Sequence, residues 1–210
     1  MDNRKLEKKV KEIILKNKGE RIREIDIARK LRISRTPVRE ILNRLEDAGI
    51  IERKKKGGTY VKKINIREIN EMYEIREYLE GLAARKTAEK VTEEIINKLK
   101  EIEKKYREAV KNKDLSSMIE KDAEFHLTIA EESGNKMLYK LMDNLHLLTK
   151  IFRISFKFPH YFERYRENPF SHKKIIEAIK SRNPDKAEKT IRKHIKFGRE
   201  ILIKIYIEGR

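Results

Sequence analysis

The chain has 210 residues, which is enough for one or two modest domains that each bury a core. It contains no cysteine, and this excludes disulfides, thiolate metal ligands and thiol catalysis. Charged residues make up 42% of the sequence and no long apolar run or signal peptide is present, so we expect a soluble, cytoplasmic protein that does not enter a membrane.

The formal net charge of +18 is concentrated towards the N-terminus. Residues 1–64 contain 21 lysines and arginines and 10 acidic residues. An excess of this kind attracts the phosphates of a nucleic acid. The charge therefore favours a DNA-binding N-terminal portion, although a lysine-rich composition throughout the chain would produce part of the same excess.

Three helices are predicted in this portion. Residues 4–16 place apolar side chains on one helical face, and residues 24–31 form a second, short segment. The third helix begins after Ser34, a favourable N-cap, and ends at Ala48-Gly49, where glycine follows the last turn. Its apolar stripe is formed by Val38, Ile41, Leu42 and Leu45.

A polar, cationic face lies on the other side of the third helix. Arg35 and Arg39 are four residues apart, Thr36 lies beside them and Asn43 follows one turn later. Arginines near the start of a recognition helix form bidentate bonds to guanine or clamp phosphates in the DNA major groove. The alternative is an ordinary amphipathic helix with solvated arginines. The short helix before it makes a helix-turn-helix possible.

A β-hairpin is predicted after the third helix. Residues 50–53 and 59–63 alternate as short strands do, and the sequence between them is Lys54-Lys55-Lys56-Gly57-Gly58. Its basic tip would bring Lys55 and Lys56 to DNA phosphates. A hairpin in this position is the wing of a winged helix-turn-helix.

The sequence resembles the GntR family of bacterial transcription regulators over residues of about 5 to 63. The helix start Ser34-Arg35-Thr36-Pro37-Val38-Arg39-Glu40 matches the family signature in full, and Gly58-Thr59-Tyr60-Val61 fits the wing. The resemblance implies that Arg35 and Arg39 contact DNA and that Gly58 lets the wing backbone approach the minor groove. Many members carry a DNA-contacting basic residue ten positions before the first arginine, where this chain has Ile25.

Residues 65–210 are predicted to form a second, all-helical domain of six helices, so the fold class is mainly α. The first helix, residues 66–90, has the apolar set Ile69, Met72, Tyr73, Ile75, Tyr78, Leu79, Leu82 and Ala83. A helix from Asn135 to about Lys157 is unusually apolar and is expected to lie centrally, with a loop over residues 158–168 after it. Asn168-Pro169 and Asn183-Pro184 are predicted to start the last two helices.

Four side chains in this domain could share a metal ion. Asp122 and His126 are four residues apart and leave one helical face together, while His172 and His194 lie near apolar positions of the last two helices. Three imidazoles and a carboxylate suit a divalent ion and leave open positions if the geometry is octahedral. The alternative is that these histidines are packing or surface residues.

Residues of about 66 to 208 resemble the FCD domain, which follows the winged helix in one branch of the GntR family. The matching motifs are Asp122-Ala123-Glu124-Phe125-His126, Gly134-Asn135, His172-Lys173-Lys174-Ile175-Ile176-Glu177-Ala178-Ile179 and Lys193-His194. The resemblance implies that Asp122, His126, His172 and His194 bind zinc, nickel or a similar ion, which holds a small organic acid. The length is that of the shorter, VanR-like type.

Three further residues of this domain lie outside the predicted ligand set. Arg76 fits an arginine that is common on the first helix of FCD domains, where it would pair either with an effector carboxylate or with Glu80. His146 and His160 match no ligand position and are expected to be structural or exposed.

The sequence therefore predicts a homodimeric transcription regulator that binds a palindromic operator in double-stranded DNA and senses a small carboxylate through a metal-containing helical domain. Two alternatives remain: a metal-dependent hydrolase that uses the same ligands, and a nucleic-acid-binding protein without sequence preference. A hydrolase would need an additional base beside the metal-bound water, and no motif supplies one.

Overall fold

The structure, a computed structural model, describes residues 3–15, 21–54, 57–155 and 170–208. Within these residues the chain forms nine helices and one two-stranded sheet. The contacts divide the chain into two compact units, Met1–Ile64 and Asn65–Arg210. The prediction of a winged helix-turn-helix followed by a helical bundle is confirmed.

The first unit contains three helices and a hairpin: α1 (Asn3–Leu15), α2 (Glu24–Leu31), α3 (Arg35–Asp47), β1 (Ile51–Arg53) and β2 (Thr59–Val61). The predicted apolar stripe of α3 is buried in full. It packs with α1, which buries Leu6, Val10 and Ile14, and with α2, which buries Ile27 and Ala28. This packing leaves the opposite face of α3 exposed.

Backbone turns set the ends of α2 and α3. Arg32 adopts the left-handed conformation at the end of α2, and the N–H of Ile33 bonds to the carbonyl of Ala28. Gly49 has a φ of +69° after α3, and its N–H bonds to the carbonyl of Glu46 while that of Ile50 bonds to Leu45. This is a Schellman motif, for which glycine is favoured because it adopts positive φ at little cost.

The wing is antiparallel, with Glu52 opposite Tyr60. A third segment, which the sequence did not indicate, joins it: the N–H of Ile22 donates to the carbonyl of Thr59 at 2.7 Å. The segment that leads into α2 is therefore hydrogen-bonded directly to the wing.

The second unit contains six helices in the described residues: α4 (Ile66–Glu89), α5 (Glu93–Lys111), α6 (Leu115–Glu132), α7 (Lys136–Ser155), α8 (His172–Lys180) and α9 (Pro184–Glu208). Their starts show how the sequence sets the helix boundaries. Asn65 and Glu68 form a capping box at α4. The side chains of Thr92, Asp114 and Asn183, at the starts of α5, α6 and α9, each accept a backbone N–H three residues later.

Helices α4 and α9 make the most extensive contact of this unit. They run antiparallel, as shown by the ion pairs Arg85–Glu188, Arg192–Glu77 and Arg199–Glu74. Helix α4 also packs on α6, α7 and α8, and α5 packs on α6 and α8. The core between these helices contains the site described below.

Two helices of this unit expose part of their apolar residues. On α4, Ile75, Tyr78 and Leu82 have exposed fractions of 52%, 64% and 38%. Met137 and Leu141 of α7 are also exposed. The apolar pattern of each helix therefore did not identify which of its apolar residues are buried.

Some predictions lie outside the described residues: the tip lysines Lys55 and Lys56, the loop over residues 158–168, His160 and the Asn168-Pro169 helix start. Helix α8 begins at His172 after the N-cap Ser171. None of the described helices is both long enough and apolar enough to cross a membrane.

Candidate DNA-binding face and metal centre

The N-terminal end of α3 exposes two arginines, which leave neighbouring turns on the same side. Arg35 Nη2 and Arg39 Nε each lie 3.2 Å from the carboxylate of Glu24 on α2. Both arginine side chains remain more than half exposed. Glu24, which the sequence reasoning did not single out, thus holds the two guanidinium groups side by side at the start of the recognition helix.

The other proposed DNA contacts lie around these arginines. Thr36 is exposed on α3, and Asn43 Oδ1 accepts a hydrogen bond of 2.6 Å from Arg53 of β1. The side chain of Asn43 is therefore connected to the wing. Ile25 is 46% exposed on α2, so an apolar side chain occupies the position that the resemblance associates with a basic DNA contact.

Gly58 occupies a position that a side chain would obstruct. Its φ is +110°, and a Cβ atom there would lie 2.9 Å from both Arg21 Nε and the Tyr60 ring. A larger residue would be strained and would also displace the Tyr60 ring, over which Lys54 is stacked. Glycine is therefore the residue that this backbone conformation and its close neighbours accommodate.

Asp122, His126, His172 and His194 converge in the core of the second unit. Asp122 and His126 come from α6, His172 is the first residue of α8 and His194 lies midway along α9. All four side chains are buried, and one possible ligand atom from each lies within 4.8 Å of the others. The structure brings together the whole ligand set that the sequence predicted.

Neighbouring groups orient the imidazoles. His194 Nδ1 lies 2.6 Å from the carbonyl oxygen of Phe170, to which it donates, so Nε2 is left for a ligand. His126 Nδ1 lies 2.5 Å from Glu80 Oε2, and His172 Nε2 lies 3.4 Å from Asp122 Oδ1. The His172 ring stacks on Phe125 with centroids 4.1 Å apart.

The unsatisfied nitrogens support a metal ion as the occupant. Among the described residues, both ring nitrogens of His126 and of His172 are buried without an aligned hydrogen-bond partner. Buried polar atoms are normally satisfied, because each one left without a partner costs about 1–3 kcal/mol. A divalent ion would bind one nitrogen of each ring, and the donor set suits such an ion.

The protonation of the site also suits a cation. Burial, with the repulsion that His172 and His126 exert when protonated, lowers the pKa of His194 to about 3, and burial lowers the pKa of His172. Both imidazoles are therefore neutral near pH 7. Burial acts to raise the pKa of Asp122, but Arg153 and His172 outweigh it and hold that pKa well below its usual range, so the carboxylate is charged.

Arg153 is a residue of this site that the sequence reasoning missed. It is a buried residue of α7 whose Nη1 donates to Asp122 Oδ2 at 2.6 Å. The other carboxylate oxygen of Asp122 faces His172. A guanidinium group therefore lies next to the ligand cluster, with Asp122 between it and the imidazoles.

Arg76 pairs with Glu80, which is the second of the two partners that the sequence allowed for it. Its Nε donates to Glu80 Oε1 at 2.8 Å, and the two side chains are 2% and 0% exposed.

His146 was expected to be structural or exposed, and it is buried, with its Nε2 3.3 Å from Glu80 Oε1. Burial and the charge of Arg76 lower the pKa of His146 to about 4. His146 and Arg153 are seven residues apart, a spacing that places them on one face of α7.

Comparison with known proteins gives the class of this protein. The model described as "Bacterial regulatory proteins, gntR family" matches residues 3–61, and the FCD domain matches residues 71–197. The HTH-type transcriptional regulator YcbG of Bacillus subtilis is 32% identical over 196 residues, which cover 86% of this chain and 79% of YcbG. YdhC of the same organism is 26% identical over 195 residues, which cover 91% of this chain and 85% of YdhC.

A solved structure has the same fold as this chain. Escherichia coli McbR/YncC aligns with a TM-score of 0.77 and 20% identity over 96% of this chain and 98% of that chain. The architecture and the relatives define a transcription regulator. The chain belongs to the gntR family, in the group that carries an FCD domain. Because the family and its members are transcriptional regulators and not enzymes, the hydrolase alternative is set aside.

Proposed function

We propose that the protein is a homodimeric regulator that binds a palindromic operator through its winged helix and senses a small carboxylate through a metal-containing helical domain. The observation that supports a sensing function is that four buried side chains of the helical domain lie close together: Asp122, His126, His172 and His194. A divalent ion held there, zinc or nickel by the chemistry of the donors, would offer Lewis-acid positions to an organic acid.

The DNA-binding half is supported by the exposed cationic face of α3. Arg35 and Arg39 lie together at the end of the helix that enters the major groove in this motif. The ion pairs with Glu24 are partly exposed, so exchanging them for DNA costs little. Thr36 and Asn43 extend the face, and Gly58, Lys55 and Lys56 would serve the wing.

We expect Arg39→Ala to weaken binding to the operator by roughly 1–3 kcal/mol while affecting random duplex much less, because a bidentate arginine reads base edges. Changing Lys55 or Lys56 to alanine should lower affinity for all duplexes alike and reduce the salt dependence, since these lysines bind phosphates. Fluorescence anisotropy at several salt concentrations measures both effects.

The matched control is Arg44→Ala, which removes the same charge from α3 where the arginine is paired with Glu7. It should change specific binding less than Arg39→Ala. Equal losses on operator and random DNA for Arg39→Ala would contradict base reading and would favour a nucleic-acid-binding protein without sequence preference.

The metal assignment predicts one divalent ion per chain. Protein purified without a histidine tag and incubated with zinc or nickel should retain one equivalent by elemental analysis. His172→Ala and His194→Ala should each lose most of it, because each removes one of the four protein ligands. Wild-type protein that holds no metal, or variants that retain it fully, would refute the site.

We propose Arg153 as the side chain that pairs with the effector's carboxylate. Arg76 pairs with Glu80, which is not one of the four proposed ligands, whereas Arg153 pairs with Asp122, which is one of them, and so lies directly beside the cluster. Arginine binds carboxylates through two parallel N–H donors. A 2-hydroxy- or 2-keto-acid with one group at the ion and its carboxylate near Arg153 fits this arrangement.

A screen of 2-hydroxy- and 2-keto-acids by thermal shift on zinc-loaded protein should find one that stabilises the wild type and shifts operator affinity by about 5–150-fold. Arg153→Lys should keep the zinc but lose most of the stabilisation, because lysine lacks the planar fork. An unchanged response in Arg153→Lys would remove this residue from the effector site.

The homodimer is supported by the apolar stripe of α4, defined by Ile75, Tyr78 and Leu82. Contiguous exposed apolar side chains usually mark an interface. If two copies of α4 cross antiparallel about a two-fold axis near Tyr78, Ile75 of each faces Leu82 of the other. Glu71 and Lys86 then lie at opposite ends of the stripe, where their charges complement each other across the axis.

Sedimentation should show a dimer for the wild type at micromolar concentration and a monomer for Ile75→Glu, because a buried unpaired carboxylate opposes association. Met137→Glu, which alters an equally exposed apolar residue of α7, is the control and should remain dimeric. A dimeric Ile75→Glu together with a monomeric Met137→Glu would move the interface to α7.

A further inference from the structure

A second set of buried polar groups lies behind the ligand cluster. It consists of Arg76 and Glu80 on α4 and His146 on α7, and these residues do not contribute to the set of four ligands. His126 connects the two sets, because its Nδ1 faces Glu80 and its Nε2 lies 3.9 Å from Asp122 Oδ1. Glu80 therefore contacts both Arg76 and the proposed ligand His126.

The two oxygens of Glu80 have different surroundings. Oε1 accepts the N–H of Arg76 Nε at 2.8 Å and also faces Arg76 Nη2 and His146 Nε2, at 2.8 and 3.3 Å. Oε2 lies 2.5 Å from His126 Nδ1. The arginine therefore neutralises and fixes one side of the carboxylate, and its other oxygen is presented to the imidazole.

The approach between Glu80 and His126 is close but not aligned as a hydrogen bond, and Glu80 Oε2 and both nitrogens of His126 lack an aligned partner among the described residues. A rotation of the imidazole ring would satisfy Nδ1 with Glu80 and aim Nε2 at the other ligands. In metal sites, a carboxylate behind a ligating histidine fixes the tautomer and raises the basicity of the ligating nitrogen.

We propose that Glu80 is a positioning residue for the metal ligand His126, and that Arg76 holds Glu80 in place for this task. The proposal rests on the proposed metal site. Each of the three imidazoles is then held in place by a different group. The Glu80 carboxylate faces His126, and the Phe170 carbonyl accepts from His194. The aromatic rings of Phe125 and Tyr106 pack on His172. Of these three, a carboxylate has the strongest effect on basicity.

A purely structural role is the competing explanation, since Glu80 also neutralises a buried arginine. The chain provides a matched comparison for it. Glu103 on α5 is another buried glutamate, and it pairs with Arg107 four residues later at 2.7 Å, as Glu80 pairs with Arg76. Glu103→Gln removes a comparable charge from an ion pair that includes no metal ligand, although the charge of Glu103 still acts on His172 from a greater distance.

The test is zinc affinity, measured on the full chain by competition with a chromogenic chelator. We expect Glu80→Gln to weaken zinc binding by roughly 10–100-fold and Glu103→Gln to weaken it much less, because Glu103 acts on His172 only through its charge. Equal affinity in wild type and Glu80→Gln, or an equal loss in both variants, overturns the proposal. Absence of zinc binding in the wild type would instead overturn the proposed metal site itself.

A second measurement requires no variant and so does not depend on Glu80→Gln folding. Nitrogen-15 NMR of the imidazoles in zinc-loaded wild-type protein reports which nitrogen of His126 carries the proton. We expect a protonated Nδ1 and a metal-bound Nε2. Zinc bound to Nδ1, with the proton on Nε2, contradicts the proposal because Glu80 could not then accept that proton in a hydrogen bond.

Discussion

The burial of charge is the constraint on which the helical unit depends. Around His126, two buried carboxylates and two buried arginines lie in its interior, and each charge would be costly if it were alone. They are arranged as two ion pairs, Arg76–Glu80 and Arg153–Asp122, on either side of His126. Because α4, α6 and α7 each supply part of this arrangement, the helices must keep a fixed register for the charges to be satisfied. The ligand cluster is thus built into the packing of the core.

The sequence predicted the elements well because their signals are local. Ser34 and Gly49 bound the recognition helix, Thr92, Asp114 and Asn183 mark helix starts, and Asp122 and His126 share a helical face. The convergence with His172 and His194 came from the family motifs. Spacing within single helices gives no information about which helices are neighbours, so it could not have supplied that convergence.

What the sequence did not reveal depends on contacts between elements. Glu24 meets Arg35 and Arg39 because α2 crosses beside α3, and Arg153 reaches Asp122 because α7 packs on α6. The i, i+4 spacing of Arg76 and Glu80 was visible, but their burial was not. The exposure of Ile75, Tyr78 and Leu82 on α4 could not be read from the sequence for a related reason: an exposed apolar residue has the same sequence signature as one that meets the core.

Helix α4 presents the proposed dimer stripe and the proposed Glu80 support on opposite faces of one continuous segment. Ile75 and Arg76 are consecutive residues, yet the first is exposed and the second lies in the core. Both faces share a single backbone of 24 residues without a break. An uninterrupted helix is stiff over this length. A small rotation of the helix at its inner face therefore turns its outer face through the same angle. Any event at the ligand cluster that turns α4 would therefore change the angle between the two protomers of the proposed dimer.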